Sequence, residues 1–168
     1  PLVIWDYFAT KIGVWSFNNI YTTGVKIIGL PLEEILFFII VPYSMIFLWE
    51  TFNFYFKSKT INISKNIFAI FASLSIIIAL ININHNYTFT VFLYLSIVFT
   101  ISYFIRFNLF NSISTIYFLF LSFVPFLVVN YFLTSIPIVM YNPAEFSDIR
   151  ISTIPLEDFF YSFLLVYS

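Results

Sequence analysis

Two pairs of adjacent acidic residues are the strongest candidates for proton-transfer chemistry in this chain. Glu33 and Glu34 stand at the start of one apolar run, and Glu157 and Asp158 stand at the start of another. Ionisable side chains are energetically unfavourable inside a bilayer and mark functional sites by default. A carboxyl held beside a second one in an apolar setting can keep its proton near neutral pH and act as an acid.

These pairs belong to an internal repeat with an offset of 124 residues. The segment 31–34 (Pro-Leu-Glu-Glu) returns as 155–158 (Pro-Leu-Glu-Asp). The same offset aligns further identical residues, namely Pro1 with Pro125, Tyr7 with Tyr131, Phe8 with Phe132, Thr10 with Thr134, Ile12 with Ile136, Asn18 with Asn142, Ile27 with Ile151 and Tyr43 with Tyr167. We therefore predict two repeats, residues 1–84 and 85–168.

The acidic pairs have a simpler alternative role as helix starts. Proline suits the first helical position, and glutamate in the first turn complements the helix dipole. Duplication at two membrane-helix starts favours a functional role. Our catalytic candidates are Glu33, Glu34, Glu157 and Asp158. Glu33 is the preferred general acid, because it is kept unchanged at Glu157 whereas Glu34 becomes Asp158.

Composition places the chain in a membrane. Its 168 residues are 61% hydrophobic and 9% charged, with a mean hydropathy of +0.99, whereas soluble domains have roughly 25% charged residues. The sequence predicts an all-α, polytopic transmembrane bundle, with spans near 1–9, 32–52, 67–83, 87–105, 112–134 and from 156 onward. Pro125 is expected to kink the fifth of these. We expect further spanning sequence beyond both ends.

Counting crossings predicts a parallel repeat. The spans after Glu33 and Glu157 are four crossings apart, so both acidic pairs should lie at one membrane face. The positive charges sort weakly between the faces, with Lys57, Lys59, Lys65 and Arg106 opposite the acidic pairs and Lys11, Lys26 and Arg150 beside them. The positive-inside rule then places the acidic face outside the cytoplasm. We expect the membrane to be a prokaryotic inner membrane.

Five other residues are candidates for supporting roles. Asp6 is a third carboxyl near the same face, replaced by Asn130 at the repeat offset; an ordinary interfacial aspartate is the alternative. The basic residues seven positions before each acidic pair are either ion-pair partners or plain loop charges. The supporting set is Asp6, Lys26, Arg150, Asn18 and Asn142.

The sequence lacks the motifs typical of several cofactor-, metal- and nucleic-acid-binding sites. There is no cysteine, hence no disulfide or thiolate–metal site. The sequence has no Asp-rich motif for magnesium–diphosphate chemistry and no GxGxxG loop for nucleotide binding. It has no lysine within a predicted span for a retinal Schiff base, and no basic cluster for nucleic-acid binding. We expect neither cofactor nor metal. Aromatic residues make up 24% of the chain, and their faces can stabilise cations.

Several stretches together resemble the membrane-integral lycopene cyclases, which occur as two small subunits in some bacteria and as fused chains elsewhere. The similarity lies in Asp6-Tyr7, Gly13–Asn18, Gly29–Phe38, Pro42-Tyr43 and Ile154–Tyr161. Departures fall in the second half, where Asn130 replaces Asp6 and Pro137 replaces Gly13. The family implies about seven spans.

The resemblance implies a lycopene β-cyclase, an isomerase that acts on lycopene or a related acyclic carotenoid within membrane lipid. Such a reaction needs a proton delivered to an alkene, a guided carbocation and a proton removed. Alternatives are a proton-coupled transporter, which the scarcity of glycine within spans disfavours, and a non-catalytic carotenoid- or lipid-binding scaffold. The ring type, the number of ends cyclised and homo-oligomerisation stay open.

Overall fold

The chain folds into apolar helices joined by loops with short strands. The computed structural model describes residues 2–56, 59–61, 63–105 and 112–167. Within these residues there are six α-helices, namely α1 (Leu2–Ile12), α2 (Leu32–Tyr55), α3 (Lys65–Ile81), α4 (Asn86–Ile105), α5 (Ile113–Ser135) and α6 (Leu156–Tyr167). The predicted all-α class is confirmed.

Three helices in the described part of the chain are long and apolar enough to cross a membrane, namely α2, α4 and α5. Crossing the hydrocarbon takes about 20 apolar residues; α3, with 17 residues, is a shorter apolar helix. Large apolar side chains cover their outer surfaces, as in Ile39, 62% exposed, and Phe120, 70% exposed. Such a surface suits lipid rather than water, and the chain is a membrane protein.

The helix boundaries follow the predicted spans closely. The short turn expected at residues 84–86 lies slightly earlier, at residues 82–84, and α4 begins at Asn86. Pro125 lies inside α5 and Pro42 inside α2, which membrane helices tolerate because neighbouring groups satisfy the freed carbonyls. Pro1, Lys57 and Arg106, which entered the repeat and orientation arguments, lie outside the described residues.

The central helix of the bundle is α4, which packs along α3 and also contacts α6. Small buried residues on α3, including Ala72 and Ala79, allow the two backbones to approach closely. Ser96 of α4 donates a hydrogen bond of 3.1 Å to the Ala72 carbonyl. At the far end of α4, the Ser102 and Tyr167 hydroxyls are 2.7 Å apart. This packing fixes α6, and hence its acidic N-terminus, against α4.

The loops before α2 and α6 contain short antiparallel strands where the sequence predicts only irregular loops. They pair as β1 (Trp15–Phe17) with β4 (Val139–Tyr141), β2 (Lys26–Ile27) with β3 (Leu30–Pro31), and β5 (Arg150–Ile151) with β6 (Ile154–Pro155). Strands of two or three residues are too short to show an alternating pattern. The β1–β4 partners are also distant in sequence, so only the tertiary fold brings them together.

The hairpins that lead into α2 and α6 are built alike. The Leu32 N–H donates to the Val25 carbonyl, and at the repeat offset the Leu156 N–H donates to the Ile149 carbonyl, both over 2.9 Å. Each bond joins the first helical residue to the start of its hairpin. Each acidic pair is therefore presented by the same local structure.

The β1–β4 pair is centred on residues that are themselves equivalent at the repeat offset. Ser16 lies opposite Met140 in the register, and the two positions differ by 124 residues. An antiparallel pair centred on equivalent residues has a local two-fold axis between its strands. This geometry supports the parallel repeat of residues 1–84 and 85–168, which remains a prediction.

We expect labelling experiments to place the two acidic loops on one side of the membrane. The β1–β4 pair joins these loops, and the Thr60–Ser112 bridge joins the opposite ends of α2 and α5. Because the chain has no cysteine, single changes Ile20→Cys, Ala144→Cys and Thr60→Cys can each be tested with an impermeant maleimide. The first two should react from one side and the third from the other. Reaction of Ile20→Cys and Ala144→Cys from opposite sides would contradict a parallel repeat.

Candidate active site

Three carboxyls meet in one cavity of about 320 Å³ at the loop end of the bundle. They come from three helices, with Asp6 on α1, Glu34 on α2 and Asp158 on α6. The cavity follows α2 from Glu34 to Met45, roughly 16 Å at 1.5 Å per residue. Its deeper part is apolar, with side chains that include Phe37, Ile40, Val41, Phe126 and Leu133. The cavity therefore has three carboxyls at one end and an apolar interior beyond them.

Asp6 is buried and held by a single side-chain hydrogen bond. Its exposed fraction is 1%, and the Trp15 indole N–H donates to Oδ1 over 3.0 Å. The Trp15 ring packs edge-on against Trp5, Tyr87 and Tyr141. Oδ2 of Asp6 has no hydrogen-bond partner among the described residues. One oxygen is thus fixed by the protein, and the other can bind or exchange a proton in the cavity.

Asp158 is held by two tyrosines. The Tyr87 hydroxyl donates to Oδ1 over 2.6 Å, and the Tyr141 hydroxyl donates to Oδ2 over 2.8 Å. Burial, together with the negative charge of Asp158, raises the pKa of Tyr141 well above its ordinary value, so this phenol keeps its proton and remains a donor. Hydrogen bonds donated to a carboxylate stabilise its charged form. The two hydroxyl donors oppose the cost of burying this carboxylate and fix its orientation beside the apolar cavity.

Glu34 interacts electrostatically with Asp6. The charge on Asp6 acts on the Glu34 carboxyl, and Tyr161 is within electrostatic reach of Asp6, Glu34 and Asp158. Two like charges cannot easily coexist at close range in an apolar site. Asp6 and Glu34 are therefore placed to share a proton, while the Tyr161 hydroxyl, which has no hydrogen-bond partner among the described residues, lies beside them.

The first carboxylate of each pair instead binds the loop that precedes its helix. The Thr23 N–H donates to Oε1 of Glu33 over 2.6 Å. At the repeat offset, the Ser147 N–H donates to Oε1 of Glu157 over 2.9 Å, and the Thr88 hydroxyl donates to the same atom over 2.6 Å. Neither Glu33 nor Glu157 lines the three-carboxyl cavity. Adjacent helical residues point about 100° apart, which explains why each pair divides in this way.

The supporting candidates other than Asp6 lie in the loops. Lys26 is exposed in β2, and the exposed Arg150 donates to the Thr153 carbonyl over 2.9 Å and lies 4.7 Å from the Phe146 ring centroid. The exposed position of Lys26 is that of a loop charge, whereas the positive charge of Arg150 also acts on Asp158. Neither side chain lines the cavity.

Asn18 and Asn142 stabilise equivalent turns. The Asn18 side-chain oxygen accepts from the Ile20 N–H, and the Asn142 side-chain oxygen accepts from the Ala144 N–H, both over 3.1 Å. Such bonds from an asparagine to the backbone two residues on define Asx turns. Asn142 also donates to the Gly13 carbonyl over 3.2 Å, which links the two loops. Their contribution to the site is therefore structural.

The cavity draws matching residues from both predicted repeats. Six pairs of lining residues are separated by the 124-residue offset, namely Asp6/Asn130, Trp15/Val139, Phe17/Tyr141, Glu34/Asp158, Phe37/Tyr161 and Val41/Leu165. This is the pattern expected of a cavity that surrounds a local two-fold axis. The polar groups are nonetheless asymmetric. Asn130 occupies the position equivalent to Asp6 at the repeat offset, and both tyrosine donors bind Asp158.

Four site residues, Trp15, Tyr87, Tyr141 and Tyr161, were not singled out by sequence. Trp15 falls inside the 13–18 stretch used for the family resemblance, and Tyr141 precedes the aligned Asn142. Trp15 and Tyr141 could therefore have been selected from their positions within or beside these motifs. Tyr87 had no such signal, because it reaches Asp158 across 71 residues of sequence.

The fold and the cavity define a class of membrane-embedded helical protein with a buried acid site open to an apolar space. The chain belongs to the lycopene cyclase family, whose family model matches residues 1–52 and 84–168. The matched stretches contain all three cavity carboxyls. Neither a search of curated proteins nor a search of solved structures found a match. Family membership implies a carotenoid substrate and carotenoid cyclase chemistry.

Proposed function

We propose that this protein is a lycopene β-cyclase that closes the acyclic ends of lycopene, or of a related carotenoid, inside the membrane. The observation that supports this most directly is the meeting of Asp6, Glu34 and Asp158 at one end of an apolar cavity. A long hydrocarbon substrate never leaves the bilayer, and its terminal alkene can reach such a cavity without passing through water.

The reaction is an isomerisation with one proton gained and one lost. A carboxylic acid protonates the terminal alkene and leaves a tertiary carbocation. The electron pair of a nearby alkene then forms the ring-closing carbon–carbon bond, which moves the positive charge into the new ring. Loss of a proton from an adjacent carbon restores a double bond. The product has the same formula as the substrate, so no electron donor or acceptor enters the balance.

We assign the proton donor to Glu34, with Asp6 as its partner. Sequence comparison of the two pairs preferred Glu33, but Glu33 binds the Thr23 N–H outside the cavity, whereas Glu34 lines it. A second carboxyl close to Glu34 favours a shared proton. The apolar surroundings destabilise the pair when both groups are ionised, so one proton stays on the pair and is available for transfer to the alkene.

Asp158 is proposed to stabilise the carbocation and to accept the proton that is lost, and that proton returns to the Asp6–Glu34 pair before the next ring is closed. The two tyrosine donors of Asp158 fix the carboxylate in place, so its charge is oriented before the cation forms. Preorganised charge of this kind stabilises a transition state without reorganisation. The Trp15 and Tyr161 rings, which also line the cavity, are placed to contribute cation–π attraction.

One cavity serves both substrate ends in this proposal. The predicted repeats, residues 1–84 and 85–168, would each supply half of its wall, and the two lycopene ends would be processed in turn. Self-association, which the sequence left open, is not required by this site. We propose a prokaryotic inner membrane, and the charge distribution described above favours the non-cytoplasmic side for the acidic end of the cavity.

Expression of the full-length protein in lycopene-accumulating cells tests this function. We expect a cyclic carotene by chromatography of the extracted pigments, and we expect purified protein in lipid to give it without added flavin or nicotinamide. Cells that carry the empty vector are the control. Unchanged lycopene, with the protein shown to be in the membrane, would contradict cyclase activity and favour the scaffold or transporter alternative.

A further inference from the structure

A second cavity lies beside Glu157, separate from the three-carboxyl cavity. It has a volume of about 680 Å³ and is bounded by α3, α4, α5, α6 and the 147–149 loop. Along α3 it extends from Phe71 to Asn82, roughly 16 Å of helix. Outer-wall residues face the lipid, with Phe71 48% and Leu74 51% exposed. The cavity thus lies directly beneath the lipid-facing surface of the bundle.

One end of this cavity contains two buried polar atoms with no partner. Glu157 is only 1% exposed, and its Oε2 has no hydrogen-bond partner among the described residues, while Oε1 already accepts two hydrogen bonds. The Ser147 hydroxyl is likewise buried without a partner in the described part of the chain. A buried polar group without a hydrogen bond is unfavourable, so this arrangement points to a ligand that supplies the missing bonds.

The two side chains are neighbours, since the Ser147 N–H donates to Glu157 Oε1 over 2.9 Å, and their unpartnered atoms are complementary to a hydroxyl group. Glu157 Oε2 is an acceptor when the carboxyl is ionised, and Ser147 has a hydroxyl proton to donate. A ligand hydroxyl can donate to the first and accept from the second. Lycopene, a pure hydrocarbon, offers neither bond.

The other residues that line this cavity favour a ligand with a planar, unsaturated hydrocarbon chain. Seven phenylalanines line the cavity, and several of their rings lie nearly parallel to a neighbour, as in Phe71–Phe99 at 30° and Phe123–Phe159 at 27° between ring planes. Aromatic faces stack on planar groups with π electrons. We propose that this cavity is a binding site for a polyunsaturated isoprenoid alcohol, its hydroxyl bound by Glu157 and Ser147.

This site is independent of the proposed function, because binding can be measured without turnover. The probe is a diazirine analogue of geranylgeraniol added to the purified full-length protein in lipid nanodiscs. After irradiation, mass spectrometry should locate the label on peptides of α3, α4 and α6, and excess unlabelled geranylgeraniol should compete it away. The matched probe is the methyl ether of the same molecule, which cannot donate to Glu157.

Two variants test the polar end. Glu157→Leu and Ser147→Ala should each lower labelling by the alcohol about tenfold, as expected for the loss of one hydrogen bond involving a buried or charged group. Labelling by the methyl ether should be weak and unchanged by either substitution. Glu50→Leu, an exposed position on α2 that lines neither cavity, is the matched control and should leave labelling by the alcohol at the level of the unchanged protein.

Three results would overturn the proposal. Equal labelling by the alcohol and its ether would show that the cavity recognises only the apolar chain. Equal competition by oleyl alcohol would show that it does not distinguish an isoprenoid from a fatty chain. Labelling that both variants leave unchanged, in protein that remains folded by gel filtration, would show that Glu157 and Ser147 bind only water or lipid.

Discussion

Replacement of Glu34 by glutamine is expected to reduce lycopene cyclisation at least about a hundredfold, the low end of what a positioned general acid contributes. Glutamine keeps the size and hydrogen-bonding capacity of the side chain but has no proton to transfer. Glu34 lines the cavity beside Asp6, so we expect the fold to persist while lycopene accumulates. Pigment chromatography at matched protein levels in the membrane measures the effect.

Glu33→Gln is the matched control, because it makes the same chemical change one residue away. Oε1 of Glu33 accepts the Thr23 N–H, a bond that the glutamine carbonyl can also accept. We expect its loss of activity to be at least about tenfold smaller than that of Glu34→Gln. The reverse order would return the acid role to Glu33, the residue that sequence comparison preferred.

Asp158→Asn is expected to block cyclisation of both lycopene ends, with no accumulation of a one-ring product. The change removes the negative charge beside the developing cation, and it forces the amide to face hydroxyl donors from Tyr87 and Tyr141. If the protein has one cavity for both ends, neither ring can form. Accumulation of a monocyclic carotene would instead show that the two acidic pairs form separate sites.

A graded version of this experiment removes one donor at a time. Tyr141→Phe deletes the 2.8 Å bond to Asp158 and should lower the cyclisation rate about tenfold, since a hydrogen bond to a charged group is worth about 1.5–3 kcal/mol. Tyr131→Phe is the control, because Tyr131 is 47% exposed on α5. Equal activity of the two variants would show that Tyr141 does not orient the carboxylate.

Much of the fold could be predicted because long apolar segments have few options in a bilayer. A segment such as α5, with 23 residues, must satisfy its backbone internally and therefore forms a helix. The turn before Asn86 was predictable from the polar residues that interrupt two apolar runs. The short strands were not, because β1 and β4 are stabilised by pairing between distant loops rather than by any local pattern.

From the amino-acid sequence alone we could identify a membrane protein of the lycopene cyclase family, and we could select the two acidic pairs and Asp6 as candidates. Those conclusions depend on composition and on local motifs, which survive without coordinates. The tertiary structure decided which member of each pair faces the cavity, because that depends on how α2 and α6 are rotated against their neighbours. It also brought Tyr87 to Asp158 and placed Glu157 in a different cavity. Such contacts join residues far apart in the chain, and their geometry follows from helix packing rather than from spacing.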